Sequence, residues 1–380
     1  MTRLMRIALV TGVFPLSAAW LGGHFAPPEA GGSSAAVADT TVAMPPATVL
    51  SVDVNSGMEL LAIMAYISRR YPSPLDSKYK SDVWAHFKRF RNHPALDSVK
   101  SGQLYPDHTE LGLLLRGFPM ISATVPDTSN WYETYSRGRV AAILRGAAQF
   151  AKDTRFADFR RAHAADYTSW TSHIKSELTT NNVLGRVEQF YRPPTAVGAG
   201  AEVRLYLEPL NNWGAHQIDP VRLEGAPSDG IVRFQFGPDG NAPLPDSPLA
   251  FTMGPSDIGT VWHEAGHAFV RPFMTAHATR IAALSRLLDS TNVSLKRQNV
   301  TTWTYAFEEN LVRAVVAVLI GAARGQPAMD AEVKSQVGGG FVLVPVMAEL
   351  LQKEYVPQRA TYPALEQFAP RLLEALSTRP

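Results

Sequence analysis

Apolar positions recur at helical spacing through most of this chain, interrupted by one region in which they alternate. MELLAIMAYISRRY places Met58, Leu61, Ala62, Ala65 and Ile67 on or near one helical face and stops at Pro72. SDVWAHFKRFRNHPAL repeats the pattern with Val83, Trp84, Phe87 and Phe90, and ends before Pro94. Residues 107–116 and 130–180 also read as mainly helical, YSRGRVAAILRGAAQFAKDT most clearly. Apolar stripes of this kind predict core packing.

The period then shortens to two. EVRLYLEPL (202–210) sends Val203, Leu205 and Leu207 to one side and Arg204, Tyr206 and Glu208 to the other, and GIVRFQFGP (230–238) does the same with Val232, Phe234 and Phe236. Both predict strands, joined by the loop NNWGAHQIDPVRLEGAPSDG. After a Pro-rich connection, Gly254-Pro255-Ser256-Asp257 reads as a helix start that Ser256 or Asp257 can cap. That helix carries WHEAGHAFV and is expected to end near Pro272. Three helical segments follow, at 279–290, 301–323 and 341–355. Gly338 to Gly340 precede the last of them with no following lysine, so they read as a turn and not as a phosphate loop. No internal repeat appears. The predicted class is α+β: mainly helical, with a small β-sheet before the WHEAGHAFV helix. One domain is expected over 50–380, with a helical N-terminal part (50–195), the sheet and its helix (200–272), and a helical C-terminal part (279–380).

Composition narrows the chemistry. The 380 residues are 46% hydrophobic, enough for a substantial core. The net charge is +2 without a basic run, which argues against a nucleic-acid partner. There is no cysteine, so a disulfide framework, a thiolate metal site and a cysteine nucleophile are all excluded. Any metal must be held by His, Asp or Glu.

The first residues resemble a targeting segment. MTRLMR is basic, IALVTGVFPLSAAWLGG is apolar, and Ala36-Val37-Ala38 fits a small-x-small cleavage site. A signal peptide over 1–38 and a disordered linker over 39–49 are expected, with an earlier cut near Ala18 or Ala19 as the alternative. Pro15 breaks an apolar run already short for a membrane span, so no stable span is expected in the mature chain. The predicted location is secreted or periplasmic.

The chemistry lies in HEAGH. Residues four apart share a helical face, so His263 and His267 can bind one cation, with Glu264 beside it. A zinc hydrolase needs two imidazole ligands and a carboxylate able to take a proton from zinc-bound water. Zinc lowers the pKa of that water from about 15.7 towards about 7. With ten histidines in 380 residues, chance supplies only about 0.01 HExxH matches, which favours a metal site over two incidental histidines. Gly266 costs the helix about 1 kcal/mol against Ala, which suggests close packing there.

A catalytic zinc commonly takes three protein ligands. Val270 and Phe273 stand where a metzincin continuation would need Gly and His. The other common solution is a glutamate on a later helix, and TYAFEENLVRAVVAVLIG (304–321) offers Glu308 and Glu309 at its start. In so apolar a helix a buried carboxylate needs a partner or a metal. The helix N-terminal dipole could account for one of the two acids. Arg313, four residues after Glu309, could hold its carboxylate.

HEAGH followed by EENLVRAV resembles a gluzincin arrangement. More closely, the chain is similar to a family of secreted bacterial proteins catalogued as domain of unknown function 4932, whose members are regarded as zinc metallopeptidases. The resemblance rests on Ser51-Val52-Asp53-Val54-Asn55, Asn92-His93-Pro94, His263 to His267 with Phe269-Val270-Arg271-Pro272, and Glu309-Asn310-Leu311-Val312-Arg313-Ala314, spanning most of 50–356. Val54 and Arg271 depart from the family's pattern, away from the metal set. The resemblance implies a zincin-like fold, zinc as cofactor and Glu309 as third ligand, with Glu308 the lesser choice.

The expected function is hydrolysis of peptide bonds in a peptide or protein substrate. His263, His267 and Glu309 would bind Zn2+, and Glu264 would be the general base. Tyr305, His277, His216 and Tyr355 are candidates to stabilise the oxyanion; Tyr305 lies one turn before Glu309 and is the expected catalytic partner. Either predicted strand could bind an extended peptide along its edge. The alternatives are a non-catalytic zincin-like envelope binding module and an amidase acting on cell-wall peptides. His86, His93, His108, His163 and His173 lack ligand spacing and are expected to be structural.

Overall fold

The computed structural model describes residues 49–69, 76–100, 108–116, 122–123, 137–192, 202–211, 215–218, 232–238, 248–288, 292–298 and 300–378. The expected signal peptide and nearly all of the linker lie outside these residues.

Strand β1 (Val49–Asp53) leads into α1 (Ser56–Ile67). The side chain of Asn55 caps α1, accepting from the amides of Gly57 at 2.9 Å and Met58 at 3.0 Å. The predicted single apolar face understates this helix, since Leu60, Ile63 and Met64 are as buried as Leu61 and Ala62. A helix apolar all round belongs inside the core. Glu59 is the exception and is also buried; its carboxylate meets the hydroxyls of Tyr79 and Tyr167 and the guanidinium of Arg160. Pairing of this kind makes a buried charge tolerable.

Next come α2 (Lys78–Phe87), α3 (Asp97–Lys100) and α4 (His108–Leu113). A short antiparallel pair follows, β2 (Leu115–Arg116) with β3 (Ser122–Ala123). Then α5 (Arg137–Asp153), α6 (Phe156–Ala162), α7 (Ala164–Thr180) and α8 (Val183–Tyr191) complete the helical N-terminal part.

The main sheet has the order β1-β4-β6-β5, with β4 (Glu202–Leu207), β5 (His216–Gln217) and β6 (Val232–Phe236). Strands β1, β4 and β6 are parallel and β5 runs antiparallel on β6. Both predicted strands are present, but two others join them. VLSVD supplies β1, and the loop expected between the strands carries β5. A parallel partner requires a long crossover, so it lies far away in sequence and leaves no local signal. Tyr206 is buried along with Val203, Leu205 and Leu207, because a parallel sheet is covered on both faces. Strands β4 and β6 are each paired on both sides, so neither offers the open edge expected for an extended peptide. Among the described residues, the outer strands are β1 and β5.

The C-terminal part comprises α9 (Pro255–Ala276), α10 (Ala278–Ala282), α11 (Val293–Arg297), α12 (Trp303–Arg324), α13 (Gln326–Gly338), α14 (Val344–Leu350) and α15 (Leu365–Ser377). Helix α9 does not end near Pro272 as predicted. It continues to Ala276 with the proline inside it, since packing outweighs one missing amide. Its N-cap is Gly254, and Asp257 reaches back to accept from the Gly254 amide at 2.9 Å. The segment expected over 279–290 is split into α10 and a 3-10 turn at Ser285–Leu287. Helices α11, α13 and α15 were not among the predicted segments. Gly340, at φ 99°, forms the predicted turn. One hydrophobic core joins residues from Val54 to Leu376. Among the described residues no helix is long and apolar enough to cross a membrane.

Candidate metal centre

Helix α9 presents His263, Glu264 and His267 towards the start of α12. Trp262 anchors this turn by donating its indole N–H to the Val183 carbonyl of α8 at 2.8 Å. Gly266 permits the close crossing of α12. A Cβ there would lie 2.9 Å from Val312 Cγ1 and 3.1 Å from the Tyr191 hydroxyl. Helix α12 begins with Thr302, whose side chain accepts from the Tyr305 amide at 3.4 Å.

At the crossing three donor side chains converge. His263 Nε2 and His267 Nε2 are 3.2 Å apart. Glu309 Oε1 lies 3.4 Å from His267 Nε2, and Glu309 Oε2 lies 3.6 Å from His263 Nε2. His263, His267 and Glu309 each offer one ligand atom within 4.8 Å of the others, a set that could hold a metal ion. The two adjacent acids are thereby distinguished. Glu309 faces the donor group, whereas Glu308 Oε1 sits behind His267, 2.9 Å from Nδ1. Arg313 steadies Glu309 from the other side, with Nε at 3.0 Å and Nη2 at 2.9 Å from Oε2. Arg313 is itself held by Gln336 Oε1 at 2.8 Å and lies over the Phe341 ring, 3.9 Å from its centroid.

Residues 249–375 match the model of a family described as Domain of unknown function (DUF4932). This segment belongs to that family. The DUF4932 segment contains both helices of the metal centre. The match does not extend to Ser51–Asn55 or Asn92–Pro94, so the broader resemblance over 50–356 is supported only from residue 249 onwards. No curated protein and no solved structure matches the chain.

Burial and charge divide the roles within the DUF4932 segment. Burial, with help from the charge of Arg313, holds His263 well below the usual imidazole value. Burial also opposes a charge on His267, but Glu309, Glu308 and Glu264 outweigh it and push His267 up to about 10. Burial would raise Glu309, yet the two histidines and Arg313 keep its carboxyl well below the ordinary range. Without metal, the centre therefore holds a proton on His267 between two carboxylates and keeps His263 neutral. A cation entering the site must displace that proton.

Glu264 is buried beside the centre and its charge acts on both His267 and Tyr305. Tyr305 is 41% exposed, but its phenol is raised by burial and then by the charge and hydrogen bonding of Glu309. It is the one oxyanion candidate with a described interaction at the centre. Tyr355 is fully buried and donates to the Phe190 carbonyl at 2.6 Å. His277 Nε2 faces the Glu366 carbonyl at 3.3 Å. His216 lies in β5, paired with Gln235. His86, His93, His108, His163 and His173 each meet a separate partner: Thr154, Asp153, Glu208, Asp166 and Glu177. Two contributions escaped the sequence reading. Glu308 meets His267 Nδ1 and lies outside the group that could hold a metal ion, and Tyr191 reaches the Gly266 notch from α8. The unexplained glycine was the only sequence signal for the second.

Proposed function

We propose that the protein is a zinc-dependent peptidase of gluzincin type, working outside the cytoplasm. The observation that carries this reading is the convergence of His263, His267 and Glu309, each offering one ligand atom within 4.8 Å of the others. Donors about 2.0–2.1 Å from a tetrahedral zinc are separated by about 3.3–3.4 Å, close to the 3.2 Å between the two Nε2 atoms and the 3.4 Å from His267 Nε2 to Glu309 Oε1. Two imidazoles and one carboxylate also form a donor set that leaves a fourth position free for chemistry. When bound, zinc supplies Lewis acidity, activating water and polarising a carbonyl.

The chain's own groups do the rest. His267 donates Nδ1–H to Glu308, which fixes its tautomer and directs the Nε2 lone pair to the donor group. Arg313 occupies Glu309 Oε2 and leaves Oε1 as the freer oxygen. Glu264 accepts the proton of the attacking water and returns it to the leaving amine. The Tyr305 phenol, kept protonated by burial and by the charge of Glu309, donates to the oxyanion. The basic and then apolar N-terminal residues support export.

The deciding experiment is elemental analysis of the purified mature protein beside Glu309→Ala and Glu308→Ala. About one zinc per chain, lost in Glu309→Ala and retained more weakly in Glu308→Ala, is expected. A wild type that takes up no zinc even after reconstitution would overturn the reading in favour of a binding module. With zinc established, assays on protein substrates and on cell-wall peptides separate a peptidase from an amidase.

A further inference from the structure

The C-terminal end of α8 is held with unusual firmness. Arg359 donates to the carbonyls of Phe190 at 2.7 Å, Gln189 at 2.9 Å and Arg192 at 2.9 Å. Tyr355 adds its own bond to Phe190. Tyr355 closes the π turn at Leu351–Tyr355, a backbone form often associated with functional sites, and Arg359 follows four residues later. The residue so fixed is Tyr191. Its ring stacks on Phe269 of α9, with centroids 6.2 Å apart and planes at 28°.

The Tyr191 hydroxyl enters the Gly266 notch, immediately before His267 on α9 and beside Val312 of α12. Val312 lies one turn after Glu308, on the same helical face. Tyr191 is 4% exposed, and its hydroxyl has no hydrogen-bond partner among the described residues. A buried hydroxyl left unpaired costs about 1–3 kcal/mol, so a clamped residue that keeps one points to a missing partner. Burial and then the charge of Glu308 raise the Tyr191 phenol.

We propose that Tyr191 is a positioning residue of the metal centre, donating through one buried water to the Glu308 carboxylate that orients His267. A hydrogen-bonded line would then run from α8, through Glu308, to a metal ligand, and Gly266 would be the opening through which it passes. The inference rests on the zinc reading. It gives Gly266 a part in the support of His267 as well as in helix packing.

The test is Tyr191→Phe in the full chain, which keeps the ring and removes the hydroxyl alone. Zinc affinity, measured by competition with a chromogenic chelator, is expected to fall about tenfold, at the low end for outer partners of a ligand. The same substitution in a Glu308→Ala background is expected to change nothing further, and the urea midpoint of the metal-free protein is expected not to fall. Wild-type affinity in Tyr191→Phe, or an equal loss in both backgrounds, would overturn the proposal while leaving zinc binding intact. If the wild type itself binds no zinc, the zinc reading fails and this inference fails with it.

Discussion

Glu308 Oε1 lies 2.9 Å from His267 Nδ1, on the opposite side of the imidazole from the Nε2 that faces Glu309. The two adjacent acids therefore grip one histidine from both ends, and of the two only Glu309 belongs to the group that could hold a metal ion. Their removal should have different consequences. Glu309→Ala should abolish stoichiometric zinc, whereas Glu308→Ala should keep it with affinity lowered by about 10–100-fold. Chelator competition reads the difference, and the assignment fails if the two variants behave alike.

Glu264 sits beside the donors without being one of them. Glu264→Gln should retain zinc and lose about 10²–10⁴-fold in hydrolysis, because the amide cannot accept the proton. Zinc content and turnover are measured on the same preparation. Full activity in this variant would remove Glu264 from its role.

The metal-free centre stores a proton. With His267 raised to about 10, zinc binding at pH 7 should expel about one proton, and affinity should rise as the pH rises towards that value. Calorimetric titrations in buffers of different ionisation enthalpy count the protons. The same shift has a consequence for folding. A raised His267 stabilises the metal-free protein fully below pH 6.5 and loses that contribution as the pH climbs to about 10. Urea midpoints of metal-free protein should fall across this window, and a flat or rising trend would contradict the charge assignment.

Gly266→Ala tests the notch. The new Cβ would meet Val312 Cγ1 at 2.9 Å, and Val312 is fully buried with no room to retreat. Overpacking costs about 1–3 kcal/mol, more than offsetting the gain of about 1 kcal/mol from helix propensity. The variant should unfold at lower urea than the wild type. Equal or greater stability would mean that the crossing is looser than described.

Much of the centre was legible because it is local. His263 and His267 share a helical face by spacing alone, and the changes of period located β4, β6, α9 and α12. Where the reading fell short, the cause lay in longer range. VLSVD looks like a chain entry until β4 pairs with it, and a helix end at Pro272 was a reasonable inference until packing carried α9 past it. Glu308 and Glu309 could not be told apart, because adjacent helical residues differ only in which way they point around the axis.

The sequence by itself determined the chemistry available: imidazoles and carboxylates, no thiols, and one HExxH turn on an amphipathic helix. Covalent order and helical period are enough to fix that. Only the tertiary structure decided which acid joins the histidines, which one stands behind them, that Arg313 holds Glu309 and that Tyr191 reaches Gly266. Those choices depend on how α8, α9 and α12 cross, and a crossing is set by the shape of packed side chains from distant parts of the chain.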